Sequence, residues 1–249
     1  SRGLGDVYKR QTLNYWFTPF ERDSLVFEIY QDQLDIRDTF TIKSRNLEPD
    51  SLVITASHRG KINFEEDYTL SANIPITSLD TTKLSMMDQD SVTVSIKPRL
   101  DSLNNRVLID FTKEANANYN IDLYPGAITD FFGNTNDTLN LRLNTGSYAD
   151  YGNLRLQIAG DIAYPLIVQL TDDKGETKRE IYATEPRVFE FSTIDPGTYL
   201  IRLILDTNGN EKWDTGNYLK KTQPERVIYY SKALEVRANW ELEEIFTVE

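Results

Sequence analysis

Along almost the whole chain, apolar residues recur at every second position in short runs, and no other feature restricts the fold as severely. Leu25, Phe27 and Ile29 begin the pattern, and Phe40 and Ile42 follow between Thr39, Thr41 and Lys43. Similar triplets are Val92, Val94 and Ile96; Val107, Ile109 and Phe111; Tyr119, Ile121 and Leu123; and Leu139, Leu141 and Leu143. The second half repeats it with Leu154, Leu156 and Ile158, then Leu166, Val168 and Leu170, then Phe189 and Phe191. Tyr199, Ile201, Leu203 and Leu205 share one face, and Val236, Ala238, Trp240 and Leu242 close the pattern as one half-buried strand. Alternation of this kind places every apolar residue on one side of a strand, where a second sheet must cover it. Between the runs lie S-L-N-N-R, K-E-A-N-A-N and T-D-D-K-G-E, which carry turn chemistry. Helix signals are weak throughout: E-E-D and S-M-M-D-Q-D are too short and acidic to be more than turns. The expected fold is all-β and antiparallel, with tandem β-sandwiches rather than βαβ units and little or no helix.

At 249 residues the chain holds one large domain or two or three small ones. A formal charge of −12 argues against nucleic acid or an anionic membrane as partner, since both need basic surface. The absence of cysteine removes disulfides, thiolate metal sites and cysteine nucleophiles. A single histidine, His58 in the turn S-H-R-G, removes multi-histidine zinc sites. No apolar run approaches the ~18 residues that span a bilayer.

Composition shifts divide the pattern. D-V-Y-K-R-Q at residues 6–11 resembles the in-frame translation of a transposon adapter used in sequencing libraries. Residues 1–11 are therefore set aside from fold reasoning, and the natural protein is expected to extend upstream. Residues 12–67 read as the remainder of an upstream β-domain, residues 68–146 as one sandwich and residues 147–249 as another. G-S-Y-A-D-Y-G at 146–152 is the expected linker.

Two stretches carry a family resemblance. Y-T-L-S-A-N-I-P-I-T-S-L-D at 68–80, with L-Y-P-G-A-I-T-D-F-F-G-N-T-N-D at 123–137, resembles the bacterial Ig-like domain of S-layer-type proteins. D-P-G-T-Y-L-I-R-L-I-L-D-T-N-G-N-E-K-W-D-T-G at 195–216 resembles transthyretin-like or collagen-adhesin B-type sandwiches, in which P-G-x-Y opens a strand running into an acidic, Asn-rich turn. Together they resemble Ig-like surface proteins or lipoproteins of Bacteroidota. The resemblance implies a spacer or adhesion module without catalytic residues, placed outside the cell, at the outer-membrane surface or in the periplasm.

One loop in the chain has the ingredients of a cation site. Asp206, Asn208 and Asn210 fall at the first, third and fifth places, the carbonyl of Lys212 at the seventh and Asp214 at the ninth. Hard cations such as calcium want oxygens at alternate loop positions in this way. The twelfth place, where a strong loop has a bidentate glutamate, holds Asn217, and Gly209 stands at the fourth place instead of the sixth. Few carboxylates imply weak binding, in the range of about 10⁻⁴–10⁻³ M. The competing reading is an Asx turn in which Asn208 and Asn210 cap their own backbone and Gly209 takes positive φ. Asp130, Asn134, Asn136 and Asp137 form a poorer cluster of the same type.

No phosphate loop, nucleophile elbow or dinucleotide fingerprint occurs. His58 has no nucleophile placed beside it by the sequence. With 39 Asp and Glu residues, carboxylate pairs at glycosidase spacing are expected by chance. Tyr15, Trp16 and Phe17, or Tyr229 and Tyr230, are the aromatics available for stacking on sugars. The expected function is a non-catalytic surface module whose partner is a protein or a glycan, with calcium as its one candidate ion. A carbohydrate-binding module is the alternative.

Overall fold

The computed structural model describes residues 16–17, 24–31, 35–43, 51–218 and 221–248. The adapter-like residues 1–11 and Tyr15 lie outside them. Among the described residues twenty strands run in order: β1 Ser24–Gln31, β2 Ile36–Lys43, β3 Ile54–Ala56, β4 Gly60–Lys61, β5 Tyr68–Ala72, β6 Ile76–Leu79, β7 Leu84–Asp88, β8 Lys97–Asp101, β9 Arg106–Asp110 and β10 Asn118–Leu123. They continue as β11 Ile128–Asp130, β12 Leu139–Asn144, β13 Gly152–Ala159, β14 Leu166–Thr171, β15 Thr177–Ala183, β16 Phe189–Ile194, β17 Gly197–Leu205, β18 Val227–Tyr229, β19 Leu234–Val236 and β20 Glu241–Thr247. Two single 3-10 turns, Thr81–Lys83 and Tyr148–Asp150, are the only helical pieces among the described residues. The protein is all-β, as the alternation requires.

The chain divides into two compact units. The first comprises Ser1–Arg59, Asp67–Thr112 and Tyr119–Leu143. Its sheets are β3-β5-β9-β8, a second containing β12-β10-β7, and the pair β11-β6. Their inward positions, among them Leu70, Val107, Ile109, Ile121, Leu123 and Leu143, are almost wholly buried. Phe111 and Tyr119 meet edge to face with centroids 5.1 Å apart, joining the end of β9 to β10. The β1-β2 hairpin pairs in full register from Ser24↔Lys43 to Gln31↔Ile36 and stacks Phe27 on Phe40 at 5.2 Å.

The second unit comprises Gly60–Glu66, Lys113–Asn118 and Asn144–Glu249. Its five-stranded sheet runs β15-β14-β17-β18, with β19 also on β17, and its three-stranded sheet runs β16-β13-β20. Leu154, Leu156, Phe189 and Phe191 of the smaller sheet pack against Val168, Leu170, Ile201 and Leu203 of the larger. Every residue of β14 is buried, so both faces of this central strand are covered.

Three local expectations change. Residues 92–96 are not a strand: they follow β7 through one bridge, Met87↔Thr93, and the bond from Val94 N to Met86 O. S-M-M-D, read as a turn, is strand β7, with Leu84 and Met86 buried between the sheets. The closing strand is broken into β19 and β20, because Asn239 turns the chain at φ 57°, a conformation that asparagine tolerates well. One pairing, β13 with β20, is parallel, from Asn153↔Glu241 to Ala159↔Thr247.

Candidate functional site

Asp206 ends β17 and is completely buried at 0% exposure. A buried carboxylate must be satisfied, and here the turn itself does so. Its Oδ1 accepts from the N–H of Gly209 at 2.9 Å and of Asn210 at 3.2 Å, and its Oδ2 from the N–H of Glu211 at 2.8 Å. Gly209 takes φ +69° and Glu211 φ 63°, the left-handed conformations that curl the turn around this carboxylate. Asn208 Oδ1 accepts from Asn210 N, and Asn210 Oδ1 from Lys212 N. The amide nitrogens of Asn208 and Asn210 both donate to Asp214 Oδ2, at 2.5 and 2.8 Å.

Asn208, Asn210 and Asp214 thus meet through their side chains, Asp206 joins them by accepting main-chain N–H groups of the same loop, and Lys212 joins through its backbone. Asn217 does not join them; it forms a bridge with Thr222. The carboxylate that completes the loop is Glu225, whose role spacing did not reveal. Only 9% exposed, it accepts from Thr207 N at 2.8 Å and Thr207 Oγ1 at 3.2 Å through Oε1, and from Asp214 N at 3.1 Å through Oε2. Its own backbone accepts from Trp213 Nε1. It is the sole acid between Asp214 and β18, which is the signal that could have found it.

The loop also approaches the outer face of the sheet at Tyr182. Ile167 and Ile204 face each other on the side of β14 and β17 away from the core, yet are 1% and 2% exposed. Tyr182, opposite Ile167, lies against Gly209: a Cβ there would come within 3.9 Å of its hydroxyl. Burial raises the Tyr182 phenol above its ordinary range, helped by the charges of Asp206 and Glu211. Among the described residues no three Asp, Glu, His or Cys side chains gather in a way that could hold a metal ion.

The other candidates have structural occupations. Asp130 accepts from Phe132 N and Asn134 N, and Asn136 ties Ile128 N to the carbonyls of Tyr124 and Asp137. His58 is half-buried beside Ser57 Oγ at 3.0 Å, and that hydroxyl accepts from Thr69 N. Trp16 meets Phe132 edge to face at 6.3 Å. Tyr230 donates to Glu244 at 2.6 Å and packs on Phe246, whereas Tyr229 on the edge strand β18 is 63% exposed.

No protein-family model and no curated protein matches the sequence. Among solved structures the chain is similar to BcpA, the major pilin subunit of Bacillus cereus, at 10% identity and TM-score 0.28, covering 90% of this chain and 77% of that one. It is similar also to the N-terminal part of the bacterial S-layer protein SbsC, at 7% identity and TM-score 0.34, covering 77% of this chain and 44% of that one. A third is the group B streptococcus pilus 2b backbone protein, at 10% identity and TM-score 0.25, covering 79% of this chain and 96% of that one. The assignment to the all-β class rests on the chain's own sheets and cores.

Proposed function

We propose that the chain is a non-catalytic structural or adhesion element of a bacterial cell surface, with residues 68–146 and 147–249 as successive sandwich modules. One observation carries this reading: the side chains most able to do chemistry are committed to holding backbone. Asp206, Glu225, Asp130 and Asn136 each bind main-chain N–H groups of their own loops. Buried, fully satisfied polar networks of this kind rigidify a fold. Force spectroscopy tests it. A spacer resists extension and unfolds in two separate steps, and Asp206→Ala lowers the force of only one of them. A chain that extends without a resisting step would overturn the proposal.

We propose further that calcium stiffens the 206–225 loop, bound by Asp206, Asn208, Asn210, Asp214 and the Lys212 carbonyl. The support is the convergence of two amides and a carboxylate on one point of the loop. At calcium about tenfold above the dissociation constant, linkage gives a stabilisation of about 1.4 kcal/mol. A melting temperature identical in calcium and in chelator would remove the ion from the account.

A further inference from the structure

The second unit contains an open cavity of about 550 Å³, lined by Glu65, Glu66, Lys178, Arg179, Asp195 and Tyr199 among others. That is ample for a small ligand. Arg179 lies on β15 directly across from Leu170, which lies across from Ile201, so all three share the face that carries the core. Charge aimed inward on an edge strand blocks pairing with other chains. That role accounts for Arg179 pointing inward but not for how it is left. Its Nη1 donates to the carbonyl of Lys178, while its buried Nε has no acceptor.

The opposite wall is held in an unusual conformation. Thr193 takes φ 51°, a left-handed conformation that a β-branched residue seldom adopts, and its buried hydroxyl has no partner. Asn153 Oδ1 accepts its N–H, and Asn63 Nδ2 donates to its carbonyl at 2.8 Å and to Asp195 Oδ2 at 3.3 Å. Tyr199 Oη donates to the Asp195 carbonyl at 2.8 Å. Strain of this sort persists where surrounding structure over-determines it, and it clusters at ligand sites. Here it sets the Asp195 carboxylate at the rim of the cavity.

An occupant must offer an acceptor to Arg179 and donors to Glu65 and Asp195. Lys178 is already held by Asp172 and Glu176, both at 3.0 Å, so the cavity sets three carboxylates, Glu65, Glu66 and Asp195, against one guanidinium whose Nε is unpaired. That balance, on a chain of net charge −12, disfavours an anion. Vicinal hydroxyls supply donors and acceptors together without net charge. We propose that this cavity binds a neutral saccharide, with Arg179 donating to one hydroxyl oxygen and Asp195 and Glu65 accepting from others.

The test uses the full chain on an array of neutral, acidic and amino sugars. The Arg179 Nε–Hε resonance is then followed by NMR as the best neutral glycan is added. The expected result is saturable binding that moves this resonance, and a loss of affinity of about tenfold or more in both Arg179→Gln and Asp195→Asn, since each replaces a charged hydrogen-bonding group by a neutral one. Melting curves of both variants confirm that they fold, and Glu65→Gln, on an exposed side chain, gives a third variant at no cost to the core. Failure of every neutral glycan to bind would overturn the proposal. So would binding that leaves the Arg179 resonance and all three variants unaffected, or a preference for free amino acids, which the same charges would favour if the true ligand were zwitterionic.

Discussion

Tyr68 is 1% exposed, its hydroxyl has no hydrogen-bond partner, and burial pushes its phenol up to about 12. An unpaired buried hydroxyl costs about 1–3 kcal/mol, and removing it while keeping the ring leaves packing intact. Tyr68→Phe is therefore expected to stabilise the first unit by about 1 kcal/mol. Urea unfolding would show a higher midpoint at unchanged slope; a lower midpoint would mean that the hydroxyl has a partner in solution. Asp206 presents the opposite case, because its carboxylate accepts three main-chain bonds. Asp206→Asn replaces one acceptor by a donor facing an N–H, and a loss of about 2 kcal/mol is expected in the same measurement. That Asp206, Asn208, Asn210 and Asp214 share one hydrogen-bonded loop was legible from their spacing. Glu225 was not, because it reaches the loop only through the path of the intervening chain.

Strand pairing sets what each element tolerates. A Cβ added to Gly152 at the start of β13 would meet Val236 Cγ1 at 2.5 Å and the Arg237 carbonyl at 2.6 Å. Gly152→Ala must push β19 away, and overpacking of this kind costs about 1–3 kcal/mol, readable as a lower melting temperature of the second unit. Tyr230 and Glu244 give a second handle, tying the end of β18 to β20. The bond to Glu244 first, then burial, holds the Tyr230 phenol up to about 12. A raised folded value means that the neutral phenol is favoured in the folded state. Its contribution is complete below the ordinary value near 10, and is lost as pH rises toward 12. Absorbance titration should resolve this late ionisation, and Tyr230→Phe should remove it and flatten the alkaline fall in stability. Most strands were legible because their alternation is strict. β7 was hidden because Asp88 at its end and Asp90 just beyond it read as a turn and mask two buried residues, Leu84 and Met86. Residues 92–96 alternate well but sit where Val92 stays 59% exposed, so pattern alone overcalled them. The parallel match of β13 with β20 joins segments about ninety residues apart, a choice that local periodicity does not encode.

At the scale of the molecule, a charge of −12 makes self-repulsion a general term that any cation relieves. Screening acts within a Debye length of about 10 Å at 0.1 M salt, and it acts on both units alike. A bound calcium ion would act on the second unit alone, through the loop that follows β17. The two effects separate if melting is followed in calcium, magnesium and sodium at matched ionic strength. Sodium should raise both transitions modestly. Calcium should raise the second unit's transition further, and Asp214→Asn should abolish only that extra increment, since Asp214 is the point on which both amides converge. Magnesium should not substitute, because it demands a tight octahedral shell that amide oxygens on a curled loop do not supply. Equal shifts from all three cations would mean that the asparagines hold the turn unaided and that the loop answers only to ionic strength.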